Sequence, residues 1–205
     1  MAVHSTTTKR KVAQPDKRER ILKAAIKVFA KNGFYATRVS EIAKAAGVAD
    51  GTIYLYFKNK DDVLITIFQD GLEQLLVILR DVAASDEPFD KRITRIIELQ
   101  LGLLEEQRDL AEVITVNLRQ SSSLLKQYAA PLFMEYIDVI AGLVRDGQKL
   151  GAFRNDLNPR VVARSLFGAL DAILLTWALG EADPASLRKA ASHCAAHFLE
   201  GLRAR

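Results

Sequence analysis

The side chains best suited to chemistry lie in VSEIAKAAGVADGTIYLYFKNK, residues 39–60. Thr52, Tyr54 and Tyr56 offer hydroxyls there, and Lys58 and Lys60 offer ammonium groups. Hydroxyls donate to phosphate oxygens and lysines neutralise phosphate charge, so the set suits a polyanionic backbone. Thr37 and Arg38 extend it upstream. Ala49, Asp50 and Gly51 are small and let a backbone press close to base edges. The competing reading of Tyr54 and Tyr56 is half-buried packing. Elsewhere, His193 and His197 are four apart, a spacing that lets two imidazoles share a metal. No Glu stands between them, no clear third ligand follows, and Cys194 points about 100° away from His193 on a helix. No glycine-rich phosphate loop follows a strand, and no Ser/His/Asp or Cys/His nucleophile set assembles. Neither an enzyme nor a metal or cofactor is expected.

The elements around these groups must hold them outward. Periodicity predicts a short helix over Val39–Ala46 with Thr37 as its N-cap, a tight turn at Gly47, and a second helix over Asp50–Phe57. Ile53 and Phe57 share the inward face, while Tyr54 and Lys58 share another. Two short helices meeting at a turn form a helix-turn-helix, whose second helix enters the major groove. Ile21, Ala24, Ala25, Val28 and Phe29 mark an amphipathic helix before it, ended by Asn32-Gly33. Asn59 caps a long helix running to about Val82. The amides opening the helices at Thr37 and Lys60 are further phosphate cradles.

The remaining chain reads the same way. Helices are expected from near Pro88, from about Asp109 to Gln120, and after Ser121–Ser123, the last kinked or broken at Pro131 and ending at Gly147–Gly151. Asn158-Pro159 and Asp183-Pro184 open the final two. No convincing strand alternation and no repeat is present. The expected fold is all-α, with about nine helices.

The net charge of +4 conceals a division. Residues 1–60 carry thirteen Lys/Arg against four Asp/Glu; residues 61–205 carry sixteen against twenty-one. A basic front on an acidic body implies that only the front binds a polyanion. The expected organisation is a flexible basic arm over 1–14, a DNA-binding helix-turn-helix domain over 15–60, and a ligand-binding and dimerisation domain over 61–205. In the arm, Lys9, Arg10 and Lys11 either lie along DNA or belong to an untethered tail. Hydrophobic residues at 49% and charged ones at 26% exclude disorder throughout. No apolar run reaching ~18–20 residues is read, so no membrane partner is expected. A charged N-terminus and a lone Cys194 point to the cytoplasm.

The stretch GFYATRVSEIAKAAGVADGTIYLYFKNKDDVL, Gly33 to Leu64, resembles the N-terminal domain of the TetR family of bacterial transcriptional regulators. The resemblance implies a dimeric, mostly repressing regulator bound to double-stranded operator DNA. It places Thr37, Thr52, Tyr54, Tyr56 and Lys60 towards the DNA backbone, with Asp50 and Gly51 near base edges. GVADGTIYLYFKNKDD, ITVNLRQSSSLLKQY and FGALDAILLTWAL are similar to the FadR-type branch. That implies a repressor of fatty-acid degradation genes, released by long-chain acyl-CoA. The alternative is a TetR-type repressor of efflux genes that responds to another hydrophobic ligand, such as a drug. A nonspecific architectural DNA-binding protein would need no large second domain.

An acyl chain needs an apolar lining, and Leu72, Leu103, Phe133, Tyr136, Ile137, Phe167, Leu170 and Trp177 can supply it or can simply form core. Asn117, Arg119 and Gln120 are polar groups among apolar neighbours. Arg119 either clamps coenzyme A phosphates or partners a helix C-terminus. Arg92, Arg95, Lys126 and Arg164 are further phosphate candidates. Homodimerisation is expected through Val162, Leu166, Ala169, Leu170 and Ile173 of one helix and Leu187, Ala190, Ala191, Cys194 and Phe198 of the next. A dimer must set two recognition helices roughly 34–36 Å apart. Tilting of the long helix from Lys60 by ligand is the expected coupling.

Overall fold

A computed structural model of the chain describes residues 16–117, 130–180 and 184–204. Among these residues nine α-helices form two packed units. The head contains α1 (Lys17–Asn32), α2 (Val39–Ala46) and α3 (Asp50–Ile53). The helix α4 (Lys60–Ala83) leads into the body, built from α5 (Phe89–Gly102), α6 (Arg108–Glu112), α7 (Ala130–Lys149), α8 (Pro159–Leu179) and α9 (Pro184–Leu202). One bridge, Phe153 to Arg203, is the only β-type pairing among the described residues.

The head core gathers Ile21, Ala25 and Phe29 of α1 with Ile42, Ala43 and Ala46 of α2, then Ile53 and Phe57. Val63, Leu64 and Ile67 of α4 join the same cluster. The head is thus built on the first turns of the long helix. Gly47 turns the chain between α2 and α3 at φ 66°, ψ 40°, a left-handed conformation that a side chain would strain. Asn59 caps α4 by accepting from the Asp62 amide at 2.8 Å, as its position predicts. Asn158 does the same for α8, with Pro159 at the first helical position.

Five features differ from the sequence expectation. Thr37 is not an N-cap: the flanking residue of α2 is Arg38, and the Glu41 carboxylate accepts from its amide at 2.7 Å. The regular part of α3 stops at Ile53, because Leu55 and Tyr56 bond three residues back rather than four. Phe57 again bonds four back, to the Ile53 carbonyl, and is buried. After α6 the backbone winds as a π-turn over Val113–Asn117 instead of a continuing α-helix. Pro131 lies in the first turn of α7, where its missing N–H costs nothing. Finally, α8 is long and apolar enough to cross a membrane by length and composition alone, contrary to the sequence reading. Here it packs against α7 and α6 within the helical body.

The residues expected to form a dimer face serve mainly within the protomer. Val162, Leu166 and Leu170 of α8, and Leu187, Ala191 and Cys194 of α9, are buried in the body core. The most apolar stripe of each helix is consumed by its own chain. What α8 leaves outward is a row of small side chains, Ser165, Gly168, Ala172 and Thr176, flanked by exposed Val161 and Leu179.

Candidate nucleic-acid interface

The structure gathers part of the expected set around one groove of the head. Tyr54 is 57% exposed and Tyr56 39%, so neither belongs to the buried head core. Ile53 and Phe57, their neighbours on the inward face, are buried. Ala49, Asp50, Gly51, Lys58 and Arg38 are exposed, and Thr52 is half-buried. Thr37, Arg38, Val39, Ser40, Asp50, Tyr54 and Lys60 line an open groove of about 500 Å³ between the two short helices. Its rim mixes guanidinium, hydroxyl and backbone donors, a composition suited to a phosphate backbone.

Two of the expected contacts have other occupations. Thr37 is 2% exposed, and its hydroxyl donates to the Gly33 carbonyl at 2.8 Å. It fixes the turn between α1 and α2 instead of offering a free donor. The Lys60 ammonium donates to the carbonyls of Phe34, Thr37 and Tyr35 at 2.7, 2.9 and 3.1 Å. It also stands 4.7 Å from the centre of the Phe34 ring. All three ammonium donors are taken, so Lys60 clamps the α1–α2 turn onto the start of α4. The Lys60 bonds reach carbonyls 23 to 26 residues away and could not be read from local spacing.

Ties that the sequence reading missed hold the head in place. Arg20 donates to the Ala46 carbonyl at 2.6 Å, satisfying the C-terminal end of α2. Arg18 of α1 pairs through both terminal nitrogens with Asp70 of α4, at 3.1 and 3.3 Å. Most notably, the Phe34 amide donates to the Asn117 side-chain oxygen at 2.7 Å, across 83 residues, in a buried setting. Asn117 is 2% exposed, and its side-chain oxygen is engaged by the head. Val113, one π-turn earlier, is fully buried in the head core.

In the body, Phe133, Tyr136 and Phe167 come together edge to face, with ring centres 4.6 and 5.5 Å apart. Ile137 and Leu170 are buried in the same core, and Leu72 packs against it. The Tyr136 hydroxyl donates to the Gln100 side chain at 2.7 Å, a buried polar pair that apolar periodicity concealed. Burial pushes the Tyr136 phenol well above its usual range, and it raises the Cys194 thiol too. Leu103 is 39% exposed past the end of α5 and does not join the aromatic group. Trp177 lies two turns beyond Leu170 and lines a separate cleft of about 390 Å³ with Ile173, Thr176 and Leu187. Arg92 bonds the Glu87 and Ala83 carbonyls and stacks on Phe89, so it is engaged within the protomer. Arg95 pairs with Glu87. Arg119, Gln120 and Lys126 lie outside the described residues, as do Lys9, Arg10 and Lys11. His193 and His197 are both exposed on α9.

Comparison with known proteins bears on the head and the body separately. The family described as bacterial regulatory proteins of the tetR family matches residues 21–67, the head with the first turns of α4. This chain belongs to the TetR family. Residues 68–196 match the C-terminal region of YsiA-like proteins. A curated relative, the fatty acid metabolism regulator protein of Bacillus subtilis, is 34% identical over 78% of this chain and 83% of its own length. The solved fatty acid degradation regulator FadR of Bacillus halodurans superposes with a TM-score of 0.84 at 32% identity, covering 94% of this chain and 99% of that one. FadR of Bacillus subtilis in complex with stearoyl-CoA superposes at 0.81 with 31% identity, over 89% and 98%. By name the first two are regulators of fatty acid metabolism or degradation, and the third is a transcriptional regulator.

Proposed function

We propose that this chain is a homodimeric cytoplasmic repressor of fatty-acid degradation genes, released from double-stranded operator DNA by long-chain acyl-CoA. One observation carries the effector assignment: a relative that superposes over nearly its whole length is solved in complex with stearoyl-CoA. The aromatic group of Phe133, Tyr136 and Phe167, in the same apolar core as Ile137 and Leu170 with Leu72 packed against it, supports it as an apolar region for the acyl chain. Arg119 and Gln120 are assigned to the coenzyme A end. The exposed groups Tyr54, Tyr56, Lys58, Arg38 and Thr52 hold the phosphate backbone, and Ala49, Asp50 and Gly51 approach the bases. Thr37 and Lys60 contribute by shaping the groove.

The dimer forms through the small outward row of α8, where Ser165, Gly168, Ala172 and Thr176 allow close helix approach, together with the exposed face of α9. This also accounts for an apolar helix whose most hydrophobic stretch is only 33% buried within one protomer. The drug-responsive alternative is less well supported, because the similar proteins named above concern fatty acids. Mass spectrometry of the purified protein after incubation with an equimolar mixture of stearoyl-CoA, free coenzyme A and a cationic drug tests the assignment. Selective retention of stearoyl-CoA is expected; retention of the drug alone overturns it.

A further inference from the structure

A polar pair interrupts the apolar core of the body. Gln100 of α5 is 7% exposed and Tyr136 of α7 is 1% exposed. Ile96, Ile97, Leu101 and Leu104 flank Gln100 in sequence, and all four are buried. The Tyr136 hydroxyl donates to Gln100 Oε1 at 2.7 Å. Burial raises the phenol well above its usual range, so it keeps its proton and remains the donor. The amide oxygen is thereby taken and the amide is oriented. Its Nε2 hydrogens have no partner among the described residues. Every fully enclosed side-chain nitrogen or oxygen among those residues does have one, so this nitrogen is not sealed in and borders accessible space.

From this we infer that the Gln100 amide is the donor to an oxygen of the bound acyl group, with Tyr136 the residue that positions it. The inference rests on the reading of the chain as an acyl-CoA-responsive regulator, and it deepens that reading by naming a polar contact in an otherwise apolar region.

Stability gives no reason for the pair. Leu and Phe in these two places would fill similar space without a buried polar group. Its position does suit a ligand. Tyr136 belongs to the aromatic group, with its ring centre 5.5 Å from that of Phe167, so the Gln100 amide lies at the hydroxyl end of that group. Hydrocarbon pressed over Nε2 would strip it of water and leave its donors unmet, whereas an oxygen accepts from one and offsets the loss. No charged side chain is buried among the described residues, so a carboxylate would meet no counter-charge there and the acceptor is a neutral oxygen. An acyl-CoA carries one at its thioester carbonyl. An oxygenated acyl chain carries another further along.

Calorimetric titration of the full-length protein without DNA compares three ligands. They are stearoyl-CoA, its thioether analogue octadecyl-CoA, which lacks the carbonyl, and a mid-chain hydroxystearoyl-CoA. If the thioester carbonyl is the acceptor, wild type binds stearoyl-CoA ~5–150-fold more tightly than octadecyl-CoA, the cost of leaving one buried donor unmet. If a chain oxygen is the acceptor, hydroxystearoyl-CoA exceeds stearoyl-CoA by a factor in the same range of ~5–150. In either case Gln100→Leu brings the ratio below ~3-fold by weakening the ligand that bears the oxygen, while octadecyl-CoA binds no more weakly than to wild type. Tyr136→Phe keeps the ring but frees the amide to turn, and it lowers the same ratio part-way. A merely structural role for the pair lowers all three affinities together, and that result overturns the contact. Equal binding of all three ligands by wild type overturns it with no variant needed. Wild type that binds none of the three defeats the effector reading itself, and the contact falls with it.

Discussion

Replacing Lys60 by Met separates two incompatible jobs for one side chain. As a phosphate contact, Lys60 would matter only in the DNA complex. As a clamp, it matters in the free protein, because its ammonium bonds three carbonyls of the α1–α2 turn. Hydrogen bonds to a charged group contribute about 1.5–3 kcal/mol each when buried. This ammonium is only part-buried, so solvent screening reduces the sum to about 2–3 kcal/mol. The Met side chain retains the apolar contact over Phe34 but leaves the carbonyls to water. For a chain of this size that loss lowers the melting temperature by about 4–12 °C. Calorimetry of the DNA-free protein reads the shift. Anisotropy with labelled operator at several salt concentrations reads the second consequence, an unchanged salt slope at temperatures where the variant is folded. If Lys60→Met melts with wild type and its salt slope falls by about 0.9, one phosphate contact has been lost and the clamp is refuted.

Tyr54→Phe removes an exposed hydroxyl, so operator affinity falls by about 5–10-fold while the melting temperature stays within about 1 °C, as anisotropy and calorimetry will show. Gly147→Ala destabilises the body, because a Cβ there collides with the Phe153 ring; a loss of about 1–3 kcal/mol in urea unfolding is expected. Ala172→Arg places a charge in the outward row of α8; if the proposed dimer forms there, light scattering finds monomers while circular dichroism finds unchanged helical content.

The legibility of this chain in its sequence followed the range of the interactions involved. Asn59 and Asn158 cap helices through amides two or three residues away, so their type and position were sufficient. The contrast of Ile53 and Phe57 with Tyr54 is a matter of helical facing, and it holds even though the winding tightens after Ile53. Bonds that cross the chain left no such trace. Lys60 looks like a phosphate contact because the carbonyls it binds come from a turn 23 to 26 positions away, folded back beside it. Asn117 reads as a polar lining residue because its partner lies 83 positions away. The π-turn at Val113–Asn117 defeats any periodicity based on 3.6 residues per turn. In α8 and α9, an apolar stripe and a small-residue stripe occur on the same helix, and sequence alone does not say which is turned towards the protomer's own core.

The most direct measurement is a titration of stearoyl-CoA into a complex of the full-length protein with a duplex it has itself selected from random DNA. Anisotropy of the labelled duplex is followed at fixed salt, with free coenzyme A as the control. The account predicts release of the duplex by stearoyl-CoA, with an operator dissociation constant raised ~5–150-fold at saturation, and no release by coenzyme A alone. A complex that holds the duplex equally tightly at saturating stearoyl-CoA contradicts it.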